Sequence, residues 1–395
     1  MRLFAALMGL TMALAAGTGC ASNVPGHPVR QPTDPASLEV GNYQTTPRTV
    51  GNAKTGKQSR IRESQRLSDY VALPFEADHD YAYECSNNVR PHVVTNHKGL
   101  GDIVINDTFD EVAHDLRGGW VTTWCTGAGR EEKHRRLSIA VLELPDAGRA
   151  AAVGPVLEHD DFTYNTGNQP VRLAKYPAST AHWRPTVASL GSWTVRDRYV
   201  VYIKLVDELA AAPDLADLSA RTERMLDVAL PLLDKFQPTP ADQFEHIPLD
   251  PDGILGRTLP TNPELPLRPD PDGVYTGRGS LQSLDGTDLE FLTIGDVDLV
   301  GYGDALVFHS RTGAAARALW DKWNPAKESS DKHRAVDPPP RFPGDVGCFA
   351  DLENGRVMFH QCTFHVDKYT VQVGASNLAE LYQKTAAQYV LLTSR

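Results

Sequence analysis

Short apolar strands and amphipathic helices alternate along most of the chain. The stretch over 137–144 is almost entirely apolar and predicts a buried strand, and the Ala-rich segment over 146–156 predicts a helix after it. A further strand is predicted over 198–206, where β-branched and aromatic residues dominate. Apolar residues at helical spacing then predict a long helix over about 215–236, with a kink or an early end at Pro231.

The second half of the chain repeats this order of elements. Its predicted members are a strand over 305–309, an Ala-rich helix over 313–323, strands over 357–366 and 369–373, and a final helix over 377–392. The order repeats without a repeat of residue identities, which favours a duplication; two unrelated α+β halves are the alternative. Strands joined by short hairpins favour antiparallel pairing. We therefore predict an α+β fold with two similar halves, each a mostly antiparallel sheet packed by helices.

Two shorter helices are predicted ahead of the first long strand. One covers 62–73 and is ended by Pro74, because proline cannot continue the hydrogen-bonding pattern of a helix. The other begins at Thr108, whose spacing to Glu111 matches a capping box, and stops at the glycine pair that follows.

A proline-crowded segment separates the two halves. It contains two Asp-Pro-Asp-Gly sequences, which are typical of turns because proline presets one turn position and glycine suits the next. Neither sequence has the longer frame of alternating oxygen ligands that a calcium loop needs. We predict an N-terminal domain over 61–240, a linker over 241–274 and a C-terminal domain over 275–395.

The first twenty residues resemble a bacterial lipoprotein signal. Arg2 precedes an uncharged apolar run over 3–16, which is too short to span a bilayer comfortably, and small residues then lead to Cys20. The resemblance implies a signal peptide over 1–19 and a diacylglycerol on the thiol of Cys20. An ordinary secretory signal cut near Ala15 is the alternative. The segment over 20–60 lacks apolar periodicity and predicts a flexible tether.

Four cysteines remain once Cys20 is assigned to the lipid. An even number in an exported chain predicts disulfides, and three pairings are open. We favour Cys85 with Cys125 and Cys348 with Cys362, because each pair then falls within one half. Four unpaired thiols are the alternative.

The segment that ends in the second of these pairs makes a sharper prediction. Asn354-Gly355 is a strong signal for a two-residue hairpin turn. Such a turn would pair Glu353 with Arg356 and leave Cys348 one residue out of register with Cys362. A disulfide across opposed positions therefore requires a three-residue loop or a β-bulge in the hairpin.

Charge and motifs exclude several classes of function. The net charge of −11 and a pI of about 5.6 disfavour nucleic-acid binding, which needs a positive surface. The sequence contains no G-x-S-x-G, H-E-x-x-H, Walker or dinucleotide-binding motif, and Ser329–Lys332 matches S-x-x-K only by chance. No catalytic residue, metal site or cofactor is therefore predicted. His309, His360 and His365 are interpreted as packed or solvated imidazoles. The six tryptophans are interpreted as packing residues, although they are also suited to a ligand groove.

Several stretches resemble a known family of exported proteins. They cover 38–48, 69–75, 236–242 and 248–260. They are similar to uncharacterised lipoproteins of mycolic-acid-containing actinobacteria, whose body is a domain of unknown function. The resemblance implies export and lipidation, and it brings no catalytic residues. In addition, the order of helices, strands and cysteines in the C-terminal half resembles mycobacterial extracytoplasmic sensor-type domains, which use a cleft for ligands.

These observations predict an extracytoplasmic protein anchored to the cell membrane by its N-terminal lipid. We expect it to bind a ligand or partner of the envelope (a lipid, a glycan or a protein) without catalysis, in a cleft between the halves. An envelope hydrolase with a catalytic site assembled from distant residues is the first alternative. A structural spacer between membrane and wall is the second.

Overall fold

The computed structural model describes most of the chain after the N-terminal region. The described residues are 34, 37–85, 91–101, 103–104, 107–127, 133–262, 271–283, 290–324 and 332–394. The predicted signal peptide, Cys20 and most of the S-x-x-K sequence lie outside them.

The first half is an eight-stranded antiparallel sheet with helices on its faces. Its strands are β1 (Tyr83–Glu84), β2 (His92–Val93), β3 (Gly118–Cys125), β4 (Arg135–Glu143), β5 (Gln169–Val171), β6 (Thr180–Arg184), β7 (Val187–Arg196) and β8 (Tyr199–Asp207). They lie in the order β1-β3-β4-β8-β7-β6-β5, and β2 also pairs with β3. The helices are α1 (Gly56–Leu67), α2 (Pro74–Ala77), α3 (Phe109–Val112), α4 (Ala147–Thr163) and α5 (Leu215–Leu233).

The second half is a seven-stranded antiparallel sheet. Its strands are β9 (Gly273–Thr276), β10 (Val297–Tyr302), β11 (Ala305–Ser310), β12 (His333–Val336), β13 (Val346–Glu353), β14 (Arg356–Val366) and β15 (Tyr369–Ala375), in the order β12-β13-β14-β15-β11-β10-β9. The helices are α6 (Gly277–Ser283), α7 (Glu290–Thr293), α8 (Gly313–Trp323) and α9 (Leu378–Thr393). Short 3₁₀ helices cover Ser68–Tyr70, His97–Gly99, Phe244–His246 and Leu255–Arg257.

The two sheets have the same topology, which confirms the prediction of two similar halves. The path β3-β4-β8-β7-β6-β5 corresponds strand by strand to β10-β11-β15-β14-β13-β12. One short sequence also repeats, although no repeat of residue identities was expected. The turns over 197–199 and 367–369 both read Asp, basic residue, Tyr, and the aspartate of each turn has a φ of 50°. The basic residue of each turn accepts a matching backbone bond. Leu144 N, directly after β4, donates to Arg198 O at 2.9 Å, and Ser310 N, at the end of β11, donates to Lys368 O at 2.9 Å.

Several helix boundaries differ from the predictions for local reasons. Helix α1 begins well before residue 62, because Thr55 Oγ1 accepts a bond from Gln58 N at 3.3 Å and caps it. Helix α4 continues past the predicted end at 156, and Pro155 lies within it. The predicted capping box is wrong: Thr108 does not cap α3, and its hydroxyl instead donates to the Asp160 carboxylate.

Three clusters of buried apolar residues fill the molecule. Alternate residues of a strand face opposite sides, so Ile139 contacts the α5 layer while Ala140 contacts the α4 layer. The α5-layer cluster continues into the second half, where it includes Phe308 of β11 and Leu319 of α8. The third cluster lies between the second sheet and α9. One apolar core is therefore common to both halves.

The junction between the halves is packed. Trp120 on β3 donates through Nε1 to Gln282 Oε1 at 2.8 Å, and Gln282 Nε2 donates to the carbonyls of Ser68 and Val71 at 2.8 and 2.6 Å. The indole also meets the Tyr275 ring edge-on, with centroids 6.0 Å apart. These side chains are all buried. At this point of the junction, packed side chains lie where a ligand cleft between the halves was expected.

The predicted tether is also too long. Residues 37–55, called here the N-terminal strap, pack on the second half, and Leu38 within them is only 7% exposed. Arg48 fixes the strap, because its backbone N–H donates to Gly256 O at 3.0 Å and its Nη1 to Thr258 O at 2.7 Å. The predicted linker over 241–274 is likewise folded. Its apolar residues Ile254 and Leu259 are buried in the α9 cluster.

The structure contains both disulfides of the favoured pairing. Cys85 is joined to Cys125 and Cys348 to Cys362, with Cα–Cα distances of 5.3 and 4.1 Å.

The hairpin containing the second disulfide has the predicted bulge. Glu353 pairs with Arg356 around the two-residue turn, and Cys348 lies opposite Cys362. The register shifts between Asp351 and Leu352, which supplies the extra residue that the disulfide requires.

Candidate functional site

A groove on the outer side of the second half is the candidate site. It has a volume of about 400 Å³ and is called here the α9 groove. Helix α9 forms its floor, a proline loop forms one wall, and the start of the N-terminal strap forms the other. Its lining comprises Ser37, Glu39, Pro339, Pro340, Arg341, Ala379, Tyr382, Gln383 and Ala386.

The floor of the groove is one stripe of α9. Ala379, Tyr382, Gln383 and Ala386 recur three, four and seven residues apart, so they share one face of the helix. Leu381 and its neighbours on the face toward the sheet are fully buried. The two alanines leave room above the helix, while the tyrosine and the glutamine rise beside that space.

The proline loop is held rigidly from both ends. Phe342 N donates to Pro339 O at 3.2 Å and closes a turn, and the Phe342 ring packs against Phe364 and Tyr389 with centroids 5.1 Å away in each case. Before the prolines, Asp337 O accepts a bond from Tyr382 Oη at 2.8 Å. Burial and the nearby Asp337 carboxylate raise the pKa of Tyr382, so the hydroxyl stays protonated at neutral pH and keeps this bond.

The strap wall is fixed by close packing on α9. Gly41 has a φ of 55°, which strains other residues, and a Cβ at this position would lie 2.5 Å from Gln383 Oε1, so a side chain here would displace that amide. Lys384 Nζ bridges Asp304 Oδ2 at 2.9 Å and Glu380 Oε1 at 2.6 Å, beneath the Tyr43 ring of the strap. Burial alone would lower the pKa of Lys384. The hydrogen bonds to the Glu380 and Asp304 carboxylates outweigh this effect, so the pKa of Lys384 is raised.

A second polar cluster lies between α4 and the first sheet. Asp161 Oδ2 accepts a bond from Trp193 Nε1 at 3.0 Å and lies 3.5 Å from His182 Nε2. Burial lowers the pKa of His182, although the Asp161 charge opposes this. Ser192 adjoins Trp193 on β7, so its side chain points to the opposite face of the sheet. The cluster ties α4 to the sheet, and its geometry brings no serine nucleophile to the imidazole.

A third cluster holds two buried carboxylates beside the segment that connects the halves. Glu63 on α1 accepts bonds from Thr239 N and Thr239 Oγ1, both at 2.7 Å. Glu143 at the end of β4 is fully buried and lies 3.4 Å from Arg117 Nε. Burial, together with the nearby Glu63 charge, raises the pKa of Glu143 to about 8.

This pKa makes stability depend on pH through Glu143. Its folded pKa of about 8 exceeds the ordinary 4.5, so the stability linked to its neutral form is complete below about pH 4.5 and is lost as pH rises toward 8. We expect Glu143→Gln to lie close to the wild type at pH 5 and to exceed its unfolding free energy by about 4 kcal/mol at pH 9. Urea denaturation at both pH values measures this. Exposed Glu111→Gln is the control, and a variant less stable than wild type at pH 9 would contradict the expectation.

No metal site or membrane span is present in the parts of the chain that the structure describes. Among these residues, no three His, Cys, Asp or Glu side chains are arranged to hold a metal ion. No helix within the same residues is both long and apolar enough to cross a membrane.

The sequence-predicted site residues and the groove lie in different places. The four predicted disulfide cysteines are structural, and none of them lines the groove. Trp120, Trp124 and Trp193 are buried, in agreement with their interpretation as packing residues. Sequence reasoning missed every lining residue. The signal available was Pro339-Pro340-Arg341, which marks a rigid loop beside a helix without showing that the two meet.

Comparisons with known proteins match both halves. The model for the N-terminal part of a domain of unknown function, DUF7373, matches residues 50–249, and the model for its C-terminal part matches residues 254–395. No curated protein sequence matches the chain. Among solved structures, the chain is similar to the extracellular domain of PknH from Mycobacterium tuberculosis, with 11% identity, a TM-score of 0.28, and coverage of 42% of this chain and 96% of that one. A TM-score this low carries no argument about function.

Proposed function

The chain belongs to the DUF7373 family, and we propose that it is an exported, lipid-anchored protein of the cell envelope that binds a ligand without catalysis. The α9 groove is the proposed binding site. The observation that carries the proposal is that this groove is already formed, with walls fixed by the Tyr382–Asp337 bond and by the ring contacts of Phe342. Its volume of about 400 Å³ falls within the range of small-molecule sites.

The groove favours binding over the alternative functions. A structural spacer needs no concave site. A hydrolase of the serine or cysteine type needs a nucleophile beside a base, and the described lining of the groove contains neither histidine nor cysteine. The groove instead combines an aromatic ring, an amide and two charged groups, which suits recognition.

The anchoring part of the proposal rests on the signal sequence and on the disulfides. Two disulfides are expected of a chain that folds in an oxidising compartment. A lipid on Cys20 would be joined to Ser37, where the strap begins, by a chain segment that spans about 60 Å at most. The groove would therefore lie within about 60 Å of the lipid, because Ser37 is part of its lining.

One experiment tests the anchor and the ligand separately. Native mass spectrometry of the full chain, purified from its own envelope in detergent, should show a diacylglycerol mass on an N-terminal Cys20 and a bound small molecule. Cys20→Ala should remove the lipid mass only. Ala379→Trp places a large ring in the groove and should remove the bound molecule only.

Ala314→Trp is the matched control for the groove variant. Ala314 is an exposed alanine of α8, away from the groove, so this variant should keep the bound molecule. A wild-type protein that carries no small molecule, or an Ala379→Trp variant that carries as much as wild type, would refute binding at the groove. An unmodified N-terminus would refute the anchor.

A further inference from the structure

Arg341 occupies a backbone position that favours glycine. Its φ is 62°, and it is the third residue of the turn closed between Pro339 and Phe342. Such a turn prefers glycine or asparagine at that position, because a side chain with positive φ is strained. The buried Phe342 and the two prolines hold the turn in place despite this. Strained residues cluster at functional sites, and this strain directs an exposed guanidinium to the rim of the groove.

Glu39 supplies the opposite charge on the other wall. It lies between buried Leu38 and half-buried Val40, and Val40 packs on the core of the second half. Glu39 itself is exposed and lines the groove. Within the described residues, neither Glu39 nor Arg341 forms an ion pair, with each other or with another side chain. The groove thus presents one positive and one negative group, held apart on rigid walls.

We propose that the α9 groove binds a short peptide with free ends, whose carboxylate is held by Arg341 and whose ammonium group is held by Glu39. A zwitterion satisfies both charges, whereas a ligand with a single charge leaves one wall unpaired. Between them, the Gln383 amide matches a peptide group and the Tyr382 ring provides an apolar contact for a side chain. The volume suits about three small residues. This inference rests on the proposed function and specifies its ligand.

Calorimetric titration of the full chain in detergent with trialanine tests the ligand class. Trialanine should bind, and its N-acetyl and C-terminal amide derivatives should each bind at least about tenfold more weakly, because each lacks one charged end.

Variants identify which wall holds which end. In Arg341→Gln, amidation of the peptide should no longer matter while acetylation still weakens binding. Glu39→Gln should show the reverse. Arg334→Gln on the edge strand β12 is the matched control and should behave as wild type. Exposed Arg334, like Arg341, is in the second half, but it is not part of the groove lining.

Arg341→Gly separates a binding role from a structural one. Glycine relieves the strain of a positive φ, so the variant should melt about 1–3 °C higher while trialanine binds at least about tenfold more weakly. A lower melting temperature, or unchanged binding, would assign Arg341 to the fold and overturn the proposal.

Absence of trialanine binding at 10 mM would also overturn it. If native mass spectrometry still shows a molecule that Ala379→Trp removes, the proposed function stands and only this ligand class fails. If no molecule is seen either, both fail.

Discussion

Replacing Trp120 by Ala is expected to lower the free energy of unfolding by about 3–5 kcal/mol and to weaken both halves together. The indole is fully buried in the core that the two sheets share, in contact with the Tyr275 ring. Its removal opens a cavity and leaves Gln282 Oε1 without the donor it now has at 2.8 Å. Because the side chain contacts both halves, neither can relax independently.

Urea denaturation combined with hydrogen exchange measures this effect. The wild type should unfold in one transition, and Trp120→Ala should reduce amide protection in β4 and in β11 alike. Trp183→Ala is the control, because Trp183 is only partly buried at the margin of the same core in the first half. Protection lost from β4 alone would show that the halves are energetically independent.

Removal of each disulfide should also destabilise the protein, in a definite order. Cys85 and Cys125 are 40 residues apart, and Cys348 and Cys362 are 14 apart. Cross-linking a longer loop removes more entropy from the unfolded chain. The Cys85→Ala/Cys125→Ala protein should lose about 4 kcal/mol and the Cys348→Ala/Cys362→Ala protein about 3 kcal/mol.

Unfolding of the two double variants under identical conditions measures the order. Reduced wild-type protein is the control and should be less stable than either variant. A larger loss from the hairpin pair would mean that strand pairing in the folded state, and not loop entropy, determines the contribution of that disulfide.

The hairpin between β13 and β14 shows how far sequence reasoning reaches. Asn354 and Gly355 both have positive φ, as a two-residue hairpin turn requires. The turn and the two-residue side-chain period together define the register, so the bulge follows from counting residues between Cys348 and Cys362. Local rules suffice here because every partner lies within one hairpin.

The strap and the connecting segment show where that reasoning ends. Val40, Ile254 and Leu259 lie among glycines, prolines and polar residues without a helical or strand period, so no period reveals them. Ile254 and Leu259 are buried, and Val40 is half-buried, only because the fold places them in the cluster that contains the α9 face. The groove escaped prediction for the same reason, since its walls are about 300 residues apart in the chain.

The packing of the strap on α9 has a consequence for biosynthesis. Ser37 and Glu39 are among the first residues of the folded body to be made, and Tyr382 and Ala386 are among the last. A chain that ends before residue 378 lacks α9, so the strap has no helix to pack against and the groove has no floor. The groove therefore forms only after α9 has been made.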